Sequence, residues 1–239
     1  MRLARAAGVL SPSLLVAHAL PAVAITPPGR LLFPTVTRIA VDDALALTFD
    51  DGPDRSLDAF LRALDRAAAR ATFFLMGEQV ARAPSRAAEI VGAGHEVGVH
   101  AYRHRNHLRL APWQVADDLA RARSTIEDAT GRLTRLYRPP YGVFSAWSWR
   151  EAGRQGWVRV LWARWGRDWE ARATPESIAA RIGEPRPGDV LLLHDSDRYG
   201  APGSWRNTLD ALPTILERAA AAGLMVRPVG ELLDRAPTS

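Results

Sequence analysis

The sequence predicts an α/β fold in which helices surround a largely parallel sheet or barrel. From residue 44 onward, short apolar segments alternate with amphipathic or Ala/Arg-rich segments, an order typical of repeated strand–helix units. Polar residues fall just beyond the carboxyl ends of several predicted strands, where the loops of an α/β barrel converge. With 239 residues, of which 47% are hydrophobic, the chain is long enough to bury a sizeable core.

Each predicted element follows from local composition. Strands are predicted from short apolar runs, and helices from longer amphipathic or Ala/Arg-rich stretches bounded by Ser, Pro or Gly. We predict strands at residues 44–49, 71–75, 96–99, 157–163, 189–193 and 225–229, and a short extended segment at residues 136–138. We predict helices at residues 56–70, 84–94, 112–130, 147–155, 175–182 and 206–222.

Composition excludes several kinds of chemistry. The chain has no cysteine, so disulfides, thiolate metal sites and cysteine nucleophiles are excluded. The formal net charge is +5, and all 31 basic residues are arginine. The arginines are scattered along predicted helices, as on solvated helix faces, so we expect no nucleic-acid partner. A mild attraction to anionic polymers or membrane surfaces is compatible with the charge.

We predict two parts of the chain: an N-terminal segment at residues 1–43 and a folded domain at residues 44–239. A basic start at residues 1–5 precedes a mainly apolar stretch at residues 6–25, and an Ala-Val-Ala sequence ending at Ala24 has the form of a cleavage site. We expect an export signal or loose membrane anchor plus a linker, and an extracytoplasmic or membrane-associated monomer. A poorly ordered helix and a cytoplasmic location are the alternatives.

The first predicted strand ends in two adjacent acids, Asp50 and Asp51, followed by the turn-forming pair Gly52-Pro53. Adjacent carboxylates repel each other, so a metal, an arginine or water must offset their charge. On these residues alone, an acidic turn at the start of the next helix is the simpler interpretation. The clusters that follow later strands favour a binding site instead.

Two histidines, His100 and His104, follow the third predicted strand. At this spacing both imidazoles can face one metal ion if the segment turns helically, although solvated loop histidines are an alternative. A carboxylate from Asp50 or Asp51 would complete a three-ligand zinc site with an open position. The other acid would then be free to take a proton.

Two further clusters carry an arginine and a histidine. Two prolines follow Arg138 and fix the backbone, so the amides beyond them can be held ready for an oxyanion. His194 follows an apolar strand, and a carboxylate partner such as Asp168 would orient it and raise its pKa, which suits a general acid. A rigid turn with a surface arginine, and a structural histidine, are the alternatives.

These clusters resemble, in order and form, the five motifs of the polysaccharide deacetylase family, also called the NodB-homology domain or carbohydrate esterase family 4. The resemblance extends over residues 44–233. The motifs are Thr-Phe-Asp-Asp-Gly-Pro at residues 48–53, His-x-x-x-His at 100–104, Arg-Pro-Pro-Tyr-Gly at 138–142, Asp-Trp at 168–169 and Leu-x-His at 192–194. The resemblance implies a distorted (β/α) barrel and a zinc-type hydrolase that deacetylates N-acetylated sugars.

The resemblance also implies which residues hold the metal and which acts as the base. Asp51, His100 and His104 would bind a divalent metal, Zn²⁺ first, with Co²⁺ or Mn²⁺ as alternatives. Asp50, held ionised by Arg138, would be the catalytic base. It would take a proton from a metal-activated water that attacks the amide carbonyl.

The remaining matched residues would protonate the leaving group and shape the pocket. His194 would be the general acid, supported by Asp168. Tyr141 would offer its backbone N–H to the oxyanion. Trp169 and Leu192 would surround the acetyl methyl group.

Two positions depart from the family pattern. The family usually has Ser or Thr after the first motif histidine, where this chain has Ala101. The missing hydroxyl predicts weaker metal binding or another brace for the ligand loop. Trp165 stands where the fourth motif usually carries another Asp, and we expect this change to be peripheral because Asp168 and Trp169 are present.

The implied substrate is an N-acetylated glycan such as peptidoglycan or a chitin oligomer, with acetylated xylan and lipid-linked sugars as alternatives. The loop at residues 195–206 is a candidate for the groove wall that sets specificity. Candidates for stacking on sugar rings are Trp147, Trp149, Trp165 and Trp205. A hydrolase of another small amide or ester, and an inactive glycan-binding module, are the alternative functions.

Overall fold

The computed structural model describes residues 12–237, so the basic start at residues 1–5 lies outside the described residues. Within that range the chain forms eight strands and ten α-helices. The strands are β1 (Ala44–Asp50), β2 (Thr72–Met76), β3 (Glu96–Ala101), β4 (Leu136–Tyr137), β5 (Val158–Arg159), β6 (Arg164–Trp165), β7 (Val190–His194) and β8 (Met225–Arg227). The helices are α1 (Pro12–Ala19), α2 (Gly29–Leu32), α3 (Leu57–Arg66), α4 (Gly77–Arg82), α5 (Pro84–Gly92), α6 (Pro112–Thr130), α7 (Ala146–Arg154), α8 (Pro175–Ile182), α9 (Ser204–Ala221) and α10 (Val229–Arg235).

All pairings between these strands are parallel, and the strands follow the order β5-β4-β3-β2-β1-β7-β6. Strand β1 is central: β7 pairs along one side, while β8 and β2 pair with the first and second parts of the other side. The sheet curls into an incomplete barrel with the helices outside. The expected distorted (β/α) barrel is therefore confirmed.

Strand β1 is buried along its whole length because its two faces meet different layers. Leu45, Leu47 and Phe49 belong to the core cluster shared with the helices, and the Phe49 ring packs edge-on against Phe60 of α3 at 5.2 Å. The alternate residues are small and point into the barrel, where Thr48 accepts a hydrogen bond from a buried arginine. Small inward residues thus leave room for a large polar side chain inside the barrel.

An extended segment at residues 36–39 closes the gap between β5 and β7. On one side, Leu161 donates its backbone N–H to Val36 (2.8 Å); on the other, Ile39 donates to Gly188 (2.9 Å). The Ile39 side chain is buried in the core cluster inside the barrel. This segment therefore takes the place of a strand in the barrel wall without forming a regular strand.

The prediction of one strand at residues 157–163 is wrong, because the chain forms the separate strands β5 and β6. Between them the backbone turns to pair with Val36, and the carbonyls of Val160 and Leu161 accept hydrogen bonds from a guanidinium group. The last predicted strand also ends early, at Arg227, because the following proline is the N-cap of α10. Tertiary hydrogen bonds decide the first of these boundaries, and the proline after Arg227 decides the second.

The N-terminal helix α1 lies beside α7, and the His18 ring contacts the Leu108 carbonyl oxygen at 3.3 Å. Further along, the Phe33 ring packs edge-on against Trp149 at 5.2 Å. Across residues 12–237, no helix combines the length and apolar character needed to cross a bilayer. An export signal or membrane anchor stays a prediction.

The closing segment generates a stability prediction. Replacing Ile39 by Ala should lower the free energy of unfolding by about 2–5 kcal/mol, because it leaves a cavity inside the barrel. Urea denaturation followed by circular dichroism measures the change. Leu31→Ala is the control: its side chain is 85% exposed, so its effect should stay within about 0.5 kcal/mol. Equal effects for the two variants would contradict the closing role.

Candidate active site

Asp51, His100 and His104 meet at the carboxyl ends of β1 and β3. The Oδ1 atom of Asp51 lies 3.5 Å from Nε2 of His100 and 3.5 Å from Nε2 of His104. Asp51 has a φ of 80°, in the left-handed region that a non-glycine residue seldom adopts. This backbone conformation directs the carboxylate toward both imidazoles. The structure thus brings together the three residues implied as metal ligands.

The chemistry of this cluster fits a divalent metal. The potential ligand atoms lie within 4.8 Å of one another, and the buried Oδ1 of Asp51 has no hydrogen-bonding partner among the described residues. Burial lowers the pKa of His100 and of His104 to about 3, so both imidazoles keep a free lone pair. Burial also raises the pKa of Asp51 to about 7, a shift that a bound cation would oppose. One carboxylate and two neutral imidazoles form a zinc-type ligand set.

The neighbouring acid, Asp50, is paired with a buried arginine. An Nη1–H of Arg138 donates to Oδ1 of Asp50 at 2.6 Å and to Thr48 Oγ1 at 2.8 Å. Arg138 is fully buried, and its guanidinium also donates to the backbone carbonyl of Leu161 at 3.0 Å. Since a buried charge requires a partner, Arg138 compensates the charge of Asp50.

The backbone of Arg138 also orients a metal-ligand candidate. Its carbonyl oxygen accepts a hydrogen bond from Nδ1–H of His100 at 2.7 Å. This contact assigns the proton to Nδ1 and leaves Nε2 of His100 facing Asp51 with a free lone pair. One residue of the third motif therefore supports both the acid pair and the imidazole cluster.

His194 and Asp168 form a second pair across the cavity. Asp168 accepts hydrogen bonds from the backbone N–H of His194 at 2.7 Å and from its Nδ1 at 2.9 Å. Thr208 of α9 donates its hydroxyl to the same carboxylate at 2.8 Å. Burial, the largest single effect, would lower the pKa of His194, but the carboxylates of Asp168, Asp51 and Asp50, with Asp168 first among them, together raise this pKa to about 10. His194 is therefore a proton donor at neutral pH.

A cavity of about 250 Å³ joins these groups. Its lining residues are Asp50, Asp51, His100, His104, Tyr141, Gly142, Trp162, Trp169, Leu192, His194 and Tyr199. Eight of the ten site residues expected from the sequence are among them; Arg138 and Asp168 lie behind the wall, bonded to Asp50 and His194. The structure thus gathers the expected residues in and around one cavity.

Tyr141 projects into the mouth of this cavity. Its φ of 62° is again in the left-handed region, and its side chain is 56% exposed. The adjacent Gly142 has a φ of 68°, and a Cβ there would lie 2.4 Å from the ring of Trp162. The third motif therefore needs an unusual backbone path and a glycine. The use of the Tyr141 backbone N–H for an oxyanion stays a prediction.

The four tryptophans singled out as candidates for stacking on sugar rings do not line the cavity. Trp149 packs between the rings of Phe33 and Phe144, and Trp147 and Trp205 do not line the cavity. Trp165 is partly exposed and stacks on Trp162. Tryptophan count alone carries no information on which indole reaches a cavity, so Trp162 was not identifiable in advance.

The ligand loop has a brace that sequence reasoning missed. Asp118 of α6 is buried and accepts a hydrogen bond from the backbone N–H of Tyr102 at 2.8 Å. Its second oxygen accepts from the guanidinium of Arg105 at 2.6 Å. These bonds flank His104 in the sequence, so Asp118 fixes the loop despite Ala101. The amphipathic pattern of α6 is the one weak indication of this role in the sequence, because it places an acidic residue, Asp118, on the buried face of the helix.

Comparisons with known proteins identify the family of this chain. A family model described as polysaccharide deacetylase matches residues 38–160. The chain is 30% identical over 194 residues to a chitooligosaccharide deacetylase from Azorhizobium caulinodans, covering 78% of this chain and 92% of that protein. It is 30% identical over 194 residues to a peptidoglycan-N-acetylglucosamine deacetylase from Bacillus cereus, covering 79% and 87%. A family 4 carbohydrate esterase structure from Streptomyces lividans, in complex with acetate, matches with a TM-score of 0.70 at 33% identity, covering 78% and 93%.

A (β/α) barrel with a carboxylate–imidazole cluster at its strand ends defines, together with these relatives, a hydrolase of the deacetylase class. The chain belongs to the polysaccharide deacetylase family, carbohydrate esterase family 4. The family, the barrel and the enzyme class expected from the sequence are confirmed. The roles of individual residues stay predictions.

The buried ion pair generates a second stability prediction. Replacing Arg138 by Met should lower the free energy of unfolding of the metal-free protein by about 3–5 kcal/mol, because Asp50 loses its charge partner in a buried position. Adding Asp50→Asn should restore part of the loss. Urea denaturation in the presence of a chelator measures both. The control is Arg154→Met, because that side chain is 71% exposed; a loss as large there would refute the assignment.

Proposed function

We propose that this protein is a metal-dependent deacetylase that hydrolyses the N-acetyl group of an N-acetylated sugar polymer or oligosaccharide. The observation that carries the proposal is the pairing of Asp50 with Arg138 and of His194 with Asp168 around one cavity. Asp50 and His194 are register partners on the adjacent strands β1 and β7. Asp50, the candidate base with a cationic partner, is therefore placed beside His194, the candidate acid with an anionic partner.

The cofactor we propose is a divalent metal, with Zn²⁺ first and Co²⁺ or Mn²⁺ as alternatives, held by Asp51, His100 and His104. When bound, it would polarise the amide carbonyl and lower the pKa of a water molecule. The buried, unpartnered Oδ1 of Asp51 and the two neutral imidazoles support this assignment.

We propose Asp50 as the general base. The hydrogen bond from Arg138 occupies its Oδ1 atom, and its Oδ2 atom lies 4.0 Å from Nε2 of His100. Its carboxylate therefore lies beside the metal-ligand candidates and lines the cavity. From this position Asp50 would take a proton from the attacking water.

We propose His194 as the general acid. An amine leaves poorly unless it is protonated, and a histidine whose charge is stabilised by Asp168 holds a proton at neutral pH. Because Nδ1 is bonded to Asp168, the proton on Nε2 would be the one transferred. Trp169 packs edge-on against this imidazole at 5.2 Å and limits its motion.

The rest of the cavity would bind the acetamide group. In this proposal the backbone N–H of Tyr141 stabilises the developing oxyanion, and Trp169 and Leu192 surround the methyl group. Leu192 is buried and lines the cavity from β7. Apolar side chains beside a hydrogen-bond donor suit an acetyl group.

We propose N-acetylglucosamine-containing glycans, such as peptidoglycan or chitin oligomers, as the substrate class. The two relatives aligned above are named for chitooligosaccharide and for peptidoglycan N-acetylglucosamine. We further propose an extracytoplasmic or membrane-associated location. The exposed side chains of Leu31 and Leu32, 85% and 74% accessible, support contact of the N-terminal segment with an apolar environment.

Acetate release tests the proposed function. The purified protein should release acetate from chitin oligomers or peptidoglycan, lose that activity on chelation and recover it with Zn²⁺ or Co²⁺. Asp50→Asn should lower kcat at least about 100-fold, because the general base is lost. Enzymatic determination of acetate measures each rate.

Metal content provides the control for this test. His100→Ala should lower the zinc bound per chain, measured by atomic absorption, while Asp117→Asn on the exposed side of α6 should not. Glycan binding without acetate release, under metal-replete conditions, would favour the inactive binding module instead. Turnover of small amides or esters alone would favour the alternative hydrolase.

The pH profile tests the assignment of His194. Its pKa is raised by Asp168, so the acid form is present at neutral pH and is lost as pH rises through that pKa. Asp168→Asn should lower the pKa and move the alkaline limb of kcat to lower pH by more than about one unit. Glu170→Gln, a nearby acid paired with Arg181, is the control. An unshifted limb in the Asp168 variant would disprove the role.

A further inference from the structure

Tyr199 contacts the imidazole of His104 from the loop that follows β7. The two rings are nearly parallel, with an interplanar angle of 15° and centroids 4.3 Å apart. On another side of His104, the ring of Tyr141 packs at 69° with a centroid separation of 4.5 Å. His104 is thus held between two tyrosine rings, whereas His100 is held by a hydrogen bond to a backbone carbonyl.

The hydroxyl of Tyr199 is anchored on a different element. It donates a hydrogen bond to Oε1 of Glu78 at 2.9 Å, in the first turn of α4. The backbone N–H of Glu78 in turn donates to the carbonyl of Tyr102 at 3.0 Å, in the loop that carries His104. Tyr199, Glu78 and the ligand loop therefore form a closed set of contacts among three segments.

The loop carrying Tyr199 is itself well anchored. Ala201 donates its backbone N–H to the carbonyl of Trp169 at 2.9 Å. Gly203 donates to the carboxylate of Asp197 at 2.6 Å, and a Cβ at Gly200 would meet Trp169 at 2.9 Å. This anchoring places the Tyr199 ring in a fixed position over His104.

We propose that Tyr199 is a positioning residue that orients His104 toward the metal, with Glu78 holding the tyrosine in place. This inference rests on the proposed function, because it assumes that His104 binds a metal. A ring stacked on an imidazole restricts its rotation about χ2, which is the task that a hydrogen bond to the second ring nitrogen usually performs. The ring supplies this restriction, and the hydroxyl fixes the ring and the loop.

Zinc affinity of variants separates the ring from the hydroxyl. Tyr199→Leu removes the ring and should weaken zinc binding about 10-fold or more, as loss of outer ligand support commonly does. Tyr199→Phe keeps the ring and should stay within about 3-fold of the wild type. Glu78→Gln retains an oxygen acceptor for the hydroxyl and should behave like Tyr199→Phe. Competition against a chromophoric chelator measures each Kd.

Two further measurements distinguish positioning from general damage to the fold. The thermal midpoint of metal-free Tyr199→Leu should match that of Tyr199→Phe, and the visible spectrum of the Co²⁺ form should change only in the Leu variant. Trp113→Leu, an exposed aromatic on α6, is the control for removing a ring outside the site. It should leave zinc affinity and the spectrum unchanged.

The outcomes separate this inference from the proposed function. Wild-type zinc affinity in a folded Tyr199→Leu variant would overturn the inference alone. Weaker zinc binding in that variant, with no acetate release by the wild type, would support the inference and contradict the deacetylase proposal. A wild-type chain without measurable zinc affinity would overturn both.

Discussion

The ion pair between Arg138 and Asp50 lies inside the barrel, and the arrangement of the cavity depends on it. A guanidinium without exposure to solvent is stable there only because oxygens surround it: the Asp50 carboxylate, the Thr48 hydroxyl and the carbonyl of Leu161. The same residue fixes His100 through its backbone carbonyl. Small inward residues on β1 and the break between β5 and β6 provide the space and the acceptors for this side chain.

The cavity contains histidines in opposite states of protonation. Burial lowers the pKa values of His100 and His104, while the Asp168 carboxylate raises that of His194. The residue type is the same, and the outcome depends on whether neighbouring carboxylates outweigh the effect of burial. In the proposed reaction, the lone pairs of His100 and His104 would bind a cation and His194 would protonate the leaving group. That combination is what an amide hydrolase requires.

The loop bearing His104 is supported by contacts from distant parts of the chain. Asp118 holds its backbone from α6, and the Tyr199 ring packs on the imidazole from the loop after β7. The serine or threonine hydroxyl expected in this family is absent at Ala101, and these contacts provide rigidity in its vicinity. Different side chains can form hydrogen bonds to the same backbone groups. The alanine at position 101 therefore does not by itself show that the loop is less rigid.

The sequence by itself determined the alternation of strands and helices, the family, and the motifs whose ten residues the structure collects in and around one cavity. Those features depend on local apolar patterning and on motifs with fixed spacing. Only the tertiary structure decided where β5 ends, how residues 36–39 close the barrel, and which aromatic rings, Trp162 and Tyr199 among them, reach the cavity. These features depend on contacts between residues far apart in the chain, and local composition does not encode which distant partner a side chain will meet.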